Sequence, residues 1–265
     1  MTREARIGVT LGGLLLLLGV AGPIIAPDPL APMSGPLLHP SLANWFGTDQ
    51  FSRDVFARVA HGARISLGVA LIAVAISTLI GTAAGLIAGA STRSGSAIAS
   101  RCIDLGLALP RVVVLLVLLA AVGTLPLPLF AVVLGLTGWP GIARLVRGET
   151  LRLRHAPFVT AAEALGANTG RVLWREIFPG TLGPVLVAAT LGVADAMLLE
   201  AGLSYLGLGV RPPHPSWGGM ILEAREYLGA APWLLLAPGV ALGLATCAAT
   251  LLGDALRRSL QPDAK

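Results

Sequence analysis

The sequence predicts an all-α integral membrane protein of about six membrane-crossing helices. Three observations carry this. Of its 265 residues 55% are hydrophobic and only 12% charged; the mean hydropathy is +0.79; and the apolar residues form long runs separated by short arginine-bearing segments. A water-soluble domain is about half apolar and about a quarter charged, so the excess needs an apolar solvent. In hydrocarbon every backbone N–H and C=O must be satisfied within the chain. A helix of about 20 apolar residues does this and also spans the layer.

The first crossing is expected over Ile7–Ile25, behind Arg3 and Arg6. A cleaved leader has the same charged start and apolar run. This run is long for one, however, and Pro23 follows Gly22 without a small-x-small cleavage site, which favours a retained helix. An outer segment, Ala26–Arg64, follows. Its end is amphipathic, with Val55, Phe56, Val59 and Ala60 on one side and Arg53, Asp54 and Arg58 elsewhere. Such a stretch either lies along the membrane interface or packs on neighbouring loops. Residues 1–64 therefore read as an N-terminal crossing plus an outer amphipathic segment, and residues 65–265 as a five-helix core.

The second crossing, Ile65–Ala90, carries Gly81, Gly85 and Gly89 at four-residue spacing. Small residues on one face let another helix approach closely in lipid; the alternative is that they only thin the helix. Cys102–Ala143 is too long for one crossing. Gly123-Thr124-Leu125-Pro126-Leu127-Pro128 punctuates it, so it reads as a helical hairpin. Thr181–Leu206 and Pro232–Gly253 supply the fifth and sixth. Six crossings put both termini on one side. Counting Lys and Arg near helix ends gives 13 on the terminal side against 5 opposite, with Arg111 inside a crossing. That excess places the termini and the loop 144–180 in the cytoplasm.

Composition also excludes several functions. The formal charge of +5 and pI near 10.2 come from residues flanking apolar runs, without the interleaved aromatics of a nucleic-acid surface. Cys102 and Cys247 sit in apolar stretches and suggest no disulfide framework. His39, His61, His155 and His214 lack metal-ligand spacing. The only lysine is Lys265, so no P-loop lysine is available and any ATP chemistry belongs to a partner. Ser66, Ser77 and Ser204 lie in crossings that contain no histidine, against an intramembrane hydrolase. A stand-alone secondary transporter would need paired inverted repeats or broken helices, and neither is clear.

The loop Arg144–Gly180 is the most informative stretch. Pro157 suits a helix's first turn. Phe158, Ala161, Ala162 and Leu165 then fall on one face, and Gly166 suits the left-handed terminating position. Asn168 or Thr169 can cap a second short helix with Val172, Leu173 and Ile177, which Pro179 is expected to stop. The apolar face either folds back on the bundle or docks on a partner.

Ala161-Ala162-Glu163-Ala164-Leu165-Gly166, with Pro179 thirteen residues after the glycine, resembles the EAA loop of ABC-importer permeases. Phe46-Gly47-Thr48-Asp49, Ser52-Arg53-Asp54-Val55 and Gly62-Ala63-Arg64-Ile65-Ser66-Leu67 are similar to a region of the dipeptide, oligopeptide and nickel permeases. So are Glu200–Gly209 with Pro212-Pro213 and Pro215-Ser216-Trp217-Gly218, and Leu252-Gly253-Asp254-Ala255-Leu256-Arg257. In order along residues 39–262, they resemble the second, C-type permease of such systems. Three positions depart from the pattern: Thr160 stands for glutamate, Glu176 for histidine, and Ser52 for the glycine before Arg53-Asp54.

The resemblance implies the type I importer permease fold, with coupling helices that dock on an ATPase and alternating access as the mechanism. It implies a second homologous permease, two cytoplasmic ATPase subunits holding ATP and Mg, and a substrate-binding protein outside. This chain would bind no cofactor of its own. Peptides are the first expectation for the solute, with nickel or glutathione as alternatives. Asp104, Arg111, Asp195 and Glu200 lie in or at the ends of crossings, where an unpaired charge costs at least about 2.5–3.5 kcal/mol at the bilayer centre. Asp104 is near the inner surface, and Glu200, common in the family, is expected in a structural pair. Arg111, following Pro110 at mid-helix, either lines the pathway, pairs with Asp195, snorkels, or meets the companion subunit.

Overall fold

The computed structural model describes residues 3–33, 35–90, 93–123 and 125–260; Thr124 and Lys265, used above, lie outside them. The described residues form ten α-helices: α1 (Arg3–Ile25), α2 (Val55–Ala90), α3 (Arg93–Ala108), α4 (Arg111–Val122), α5 (Leu127–Arg154), α6 (Pro157–Ala164), α7 (Thr169–Val172), α8 (Phe178–Tyr205), α9 (Trp217–Ala224) and α10 (Trp233–Leu260). Five rods are long and apolar enough to cross a membrane: α1, α2, α5, the continuous stretch Thr169–Tyr205, and α10. The bent pair of α3 and α4 supplies a sixth.

One feature corrects the sequence reading, and another decides between two alternatives it left open. The third crossing is broken: the pair bends by 77° at Leu109–Pro110. Proline lacks the N–H that would continue the ladder, and it pushes the preceding residue out of the helical region. Arg111 therefore opens α4 instead of sitting at mid-helix.

The amphipathic stretch after Arg53 is the first two turns of α2, so one helix runs through residues 64 and 65. Val55, Val59 and Ala60 are buried, and Val55 and Val59 join Trp217, Met220 and Trp233 in one core cluster. Covered on its apolar side, this stretch has nothing to offer the membrane interface. At 36 residues α2 is about 54 Å long, well beyond an apolar layer of about 30 Å.

The tightest seam joins α2 to α5. A Cβ placed on Gly81 would lie 2.7 Å from Ile142 Cβ, and one on Gly85 would lie 2.6 Å from the Ala143 carbonyl oxygen and from Val146 Cβ. On Gly89 it would meet Thr150 Cβ at 2.5 Å. Gly135 of α5 answers from the other side, with Ile76 Cβ 2.7 Å from its notional Cβ. Backbones this close gain the dispersion that replaces the hydrophobic effect in lipid.

Candidate functional site

The loop between α5 and α8 has two sides. Inward, Val159, Val172 and Ile177 pack with Leu86, Val146, Leu153 and Val185 of the crossings. Outward, Phe158 is 48% exposed, Trp174 63% and Leu165 90%. Ala161 and Glu163 are also exposed, and Ala162 is half-buried. The face of Phe158, Ala161, Ala162 and Leu165 thus stays largely uncovered, while Val159, which sequence reasoning passed over, makes the inward contact.

Local chemistry shapes this elbow. Pro157 opens α6 behind an extended Ala156. Gly166 takes φ +87°, and the amides of Gly166 and Ala167 donate to the carbonyls of Glu163 (2.9 Å) and Ala162 (3.0 Å). That is the left-handed helix terminus that favours glycine. Asn168 Oδ1 accepts from the Arg171 amide at 2.8 Å, so Asn168, not Thr169, is the cap.

Pro179 does not stop the second helix. Leu173–Ile177 forms a π-helical turn, and the chain runs on into α8 with Pro179 in its first turn. In the wider turn the Phe178 amide donates to the Leu173 carbonyl, five residues back, just before Pro179. Trp174, a second omission, lies in this turn with its ring 5.3 Å from that of Phe178.

Within the crossings, Arg111 Nη1 donates to Asp195 Oδ2 at 2.9 Å and Nη2 to the Leu134 carbonyl at 2.7 Å; Nε donates to Thr137 Oγ1 at 3.3 Å. Asp195 lies on an exposed stripe of α8 with Leu198, Gly202 and Tyr205. Glu200 is buried on the other side of the same helix. Ser66 Oγ donates to its Oε2 at 2.9 Å, and Ser204 Oγ to its Oε1 at 2.8 Å. The amides of Trp217 and Val210 in turn donate to those two hydroxyls, at 3.2 and 3.0 Å. Asp104 accepts from Arg144 at 2.9 Å on an exposed surface.

Around the start of α2, Asp49 accepts from Arg53 Nε (2.6 Å) and Arg58 Nη1 (2.8 Å), and Glu223 of α9 accepts from both arginines, at 3.2 and 2.8 Å. Thr48 Oγ1 donates to the Gly35 carbonyl at 2.6 Å and accepts from the Leu38 amide at 2.8 Å. Ser52 takes φ +64°. Asp54 Oδ1 accepts from the Phe56 amide at 3.0 Å at the start of α2. Burial pushes this carboxyl above its ordinary range, and the Phe56 and Ala57 amides pull it partly back.

Five apolar rods and a bent pair able to cross a membrane, with a loop between α5 and α8 that presents apolar side chains, define a multi-pass membrane protein. A family model described as the inner membrane component of binding-protein-dependent transport systems matches residues 81–265. The chain belongs to that family, which is the membrane permease and not the ATPase of such systems.

A Brucella suis protein assigned as a peptide permease is 46% identical over 228 residues, 85% of this chain and 75% of its own. The dipeptide transport system permease protein DppC of Alkalihalophilus pseudofirmus is 36% identical over 263 residues, covering 98% and 86%. The glutathione transport system permease protein GsiD of Pectobacterium atrosepticum is 36% identical over 226 residues, covering 85% and 75%. The resemblance drawn from the short motifs holds at the level of the family and of its C-type members.

Proposed function

We propose that the chain is the C-type permease of an ATP-driven importer for di- and oligopeptides. It works with a second, homologous permease, two cytoplasmic ATPase subunits that hold ATP and Mg, and an outer binding protein that delivers the solute. The observation that carries the reading is the elbow at residues 157–179, fastened to the bundle on one side and apolar but bare on the other. Phe158, Leu165 and Trp174 exposed together have the character of a helix face that fits a groove on a partner. The arginine asymmetry supports a cytoplasmic elbow and cytoplasmic termini.

The continuous rod from Thr169 to Tyr205 suggests how the coupling works. A push on the elbow shifts α8 along its own axis, because no flexible joint intervenes. α8 carries Asp195 on an open stripe, and a carboxylate turned to lipid there is costly. We read the stripe, with Arg111, as part of the wall between this chain and its companion, lining the route of the solute. Glu200, bonded to serines of α2 and α8, keeps the outer end of the rod in register instead. Peptide cargo rests on the relatives, whose names include peptide, dipeptide and glutathione permeases.

The test is Leu165→Glu in the assembled complex. A charge on the bare face should leave the protein inserted and paired with its companion permease but reduce ATPase co-purification and peptide uptake at least about tenfold, the loss of about 1.4 kcal/mol of docking energy. Normal uptake with a full complement of ATPase would sink the docking role.

A further inference from the structure

On the outer side two cavities adjoin beneath the turn Arg211–Pro215. The larger, about 490 Å³, is bounded by one face of α2 carrying His61, Arg64, Gly68 and Ile72, with His214 opposite. The smaller, about 420 Å³, adds Arg211, and the two share Leu127, Pro128 and His214. Both volumes fall within the range of about 300–1,000 Å³ usual for small-molecule sites. Among the described residues no carboxylate lines either one.

The charge of the larger cavity is uncommitted. Arg53 and Arg58 are held by Asp49 and Glu223, whereas Arg64 enters none of the ion pairs among the described residues. Asp28, whose charge reaches His61, is turned to the Leu30 amide at 2.9 Å. His61 Nε2 is buried without a hydrogen-bond partner. Buried polar atoms are rarely left so, but this one has no surface open to the hollow, and the charge that the hollow does present is that of Arg64, whose side chain is exposed. His61 and Arg64, three residues apart on one helix, face the same hollow.

We propose that this cavity receives the carboxylate of a short peptide on the outer side of the membrane. Arg64, exposed at the cavity wall, is the pairing cation. The rigid, proline-rich turn 212–215 closes one wall, and the concave shape fits a solute better than the surface of a protein. The inference rests on the peptide-importer reading and adds the place and the chemical handle of recognition.

A thiol introduced by Gly68→Cys reports on the site, since a Cβ there meets nothing within 4 Å. Cys102 and Cys247 are first replaced by alanine, because both are exposed. The assembled complex, in nanodiscs of zwitterionic lipid so that no anionic headgroup competes, is labelled with anionic and cationic methanethiosulfonates. The anionic reagent should react about tenfold faster, as expected for one charge-assisted contact of about 1.4 kcal/mol. A dipeptide should protect the thiol, its C-terminal amide should protect less, and Arg64→Gln should abolish both effects while Arg64→Lys retains them.

A complex that takes up dipeptide but shows no charge selectivity or protection overturns this site and leaves the importer reading standing. Protection by the binding protein alone, and not by peptide, overturns it in favour of an acidic docking surface. A complex that carries no peptide overturns the substrate reading first, and this site with it.

Discussion

Ser52 occupies a left-handed backbone conformation, φ +64°, at the one place in the Arg53-Asp54 motif where a serine stands for the family's glycine. A side chain in that region costs about 1–2 kcal/mol, part of which glycine gives back through its freer unfolded chain. Ser52→Gly should therefore stabilise by about 1 kcal/mol or less, read as a raised Tm of the purified complex; a lowered midpoint would contradict this. Arg111 and Asp195 form a second residue-scale case. Removing either partner strands the other at membrane depth, so Arg111→Leu and Asp195→Leu should each lower the yield of folded complex more than the double variant does. If the pair lines the route, the double variant recovers assembly but not uptake. Full uptake in the double variant would reduce the pair to a structural clasp.

At the scale of elements, the seam between α2 and α5 is set by small residues whose partners lie elsewhere in the chain. Gly85→Leu has no room, with backbone and Val146 both 2.6 Å from its Cβ, and should abolish folding of the bundle. Gly243→Ala on α10 opens onto free space and should change expression little. Comparable losses from both would mean the close approach does not matter. The glycine spacing in α2 was legible in the sequence, but its partners Ile142, Val146 and Thr150 were not, because periodicity shows which face is small and never what lies across from it. The helix breaks divide in the same way. Pro110 stands at the 77° bend between α3 and α4, whereas the chain continues through Pro179 behind a π-helical turn.

For the whole molecule, arginine counts and the bare elbow make one joint prediction. A thiol placed by Leu165→Cys in a background without Cys102 and Cys247 should resist a membrane-impermeant reagent added to intact cells. It should react in inside-out vesicles stripped of ATPase, and be protected when the ATPase is restored. Reaction from outside the cell would invert the topology and remove the coupling role together. The sequence alone determined the class of solvent, the number and order of the apolar crossings, and the two-part elbow around Gly166, because composition, periodicity and local backbone chemistry are properties of neighbouring residues; it missed the early start of α2 and the break at Leu109–Pro110. Only the tertiary structure decided that the amphipathic turns after Arg53 are buried, that Glu200 meets Ser66 of α2, that Arg111 reaches Asp195, and that Val159 packs on the crossings while Leu165 faces out. Each of these pairs residues far apart in the chain, where burial and hydrogen bonding depend on how the helices are rotated against one another, and no spacing along one strand of sequence records that rotation.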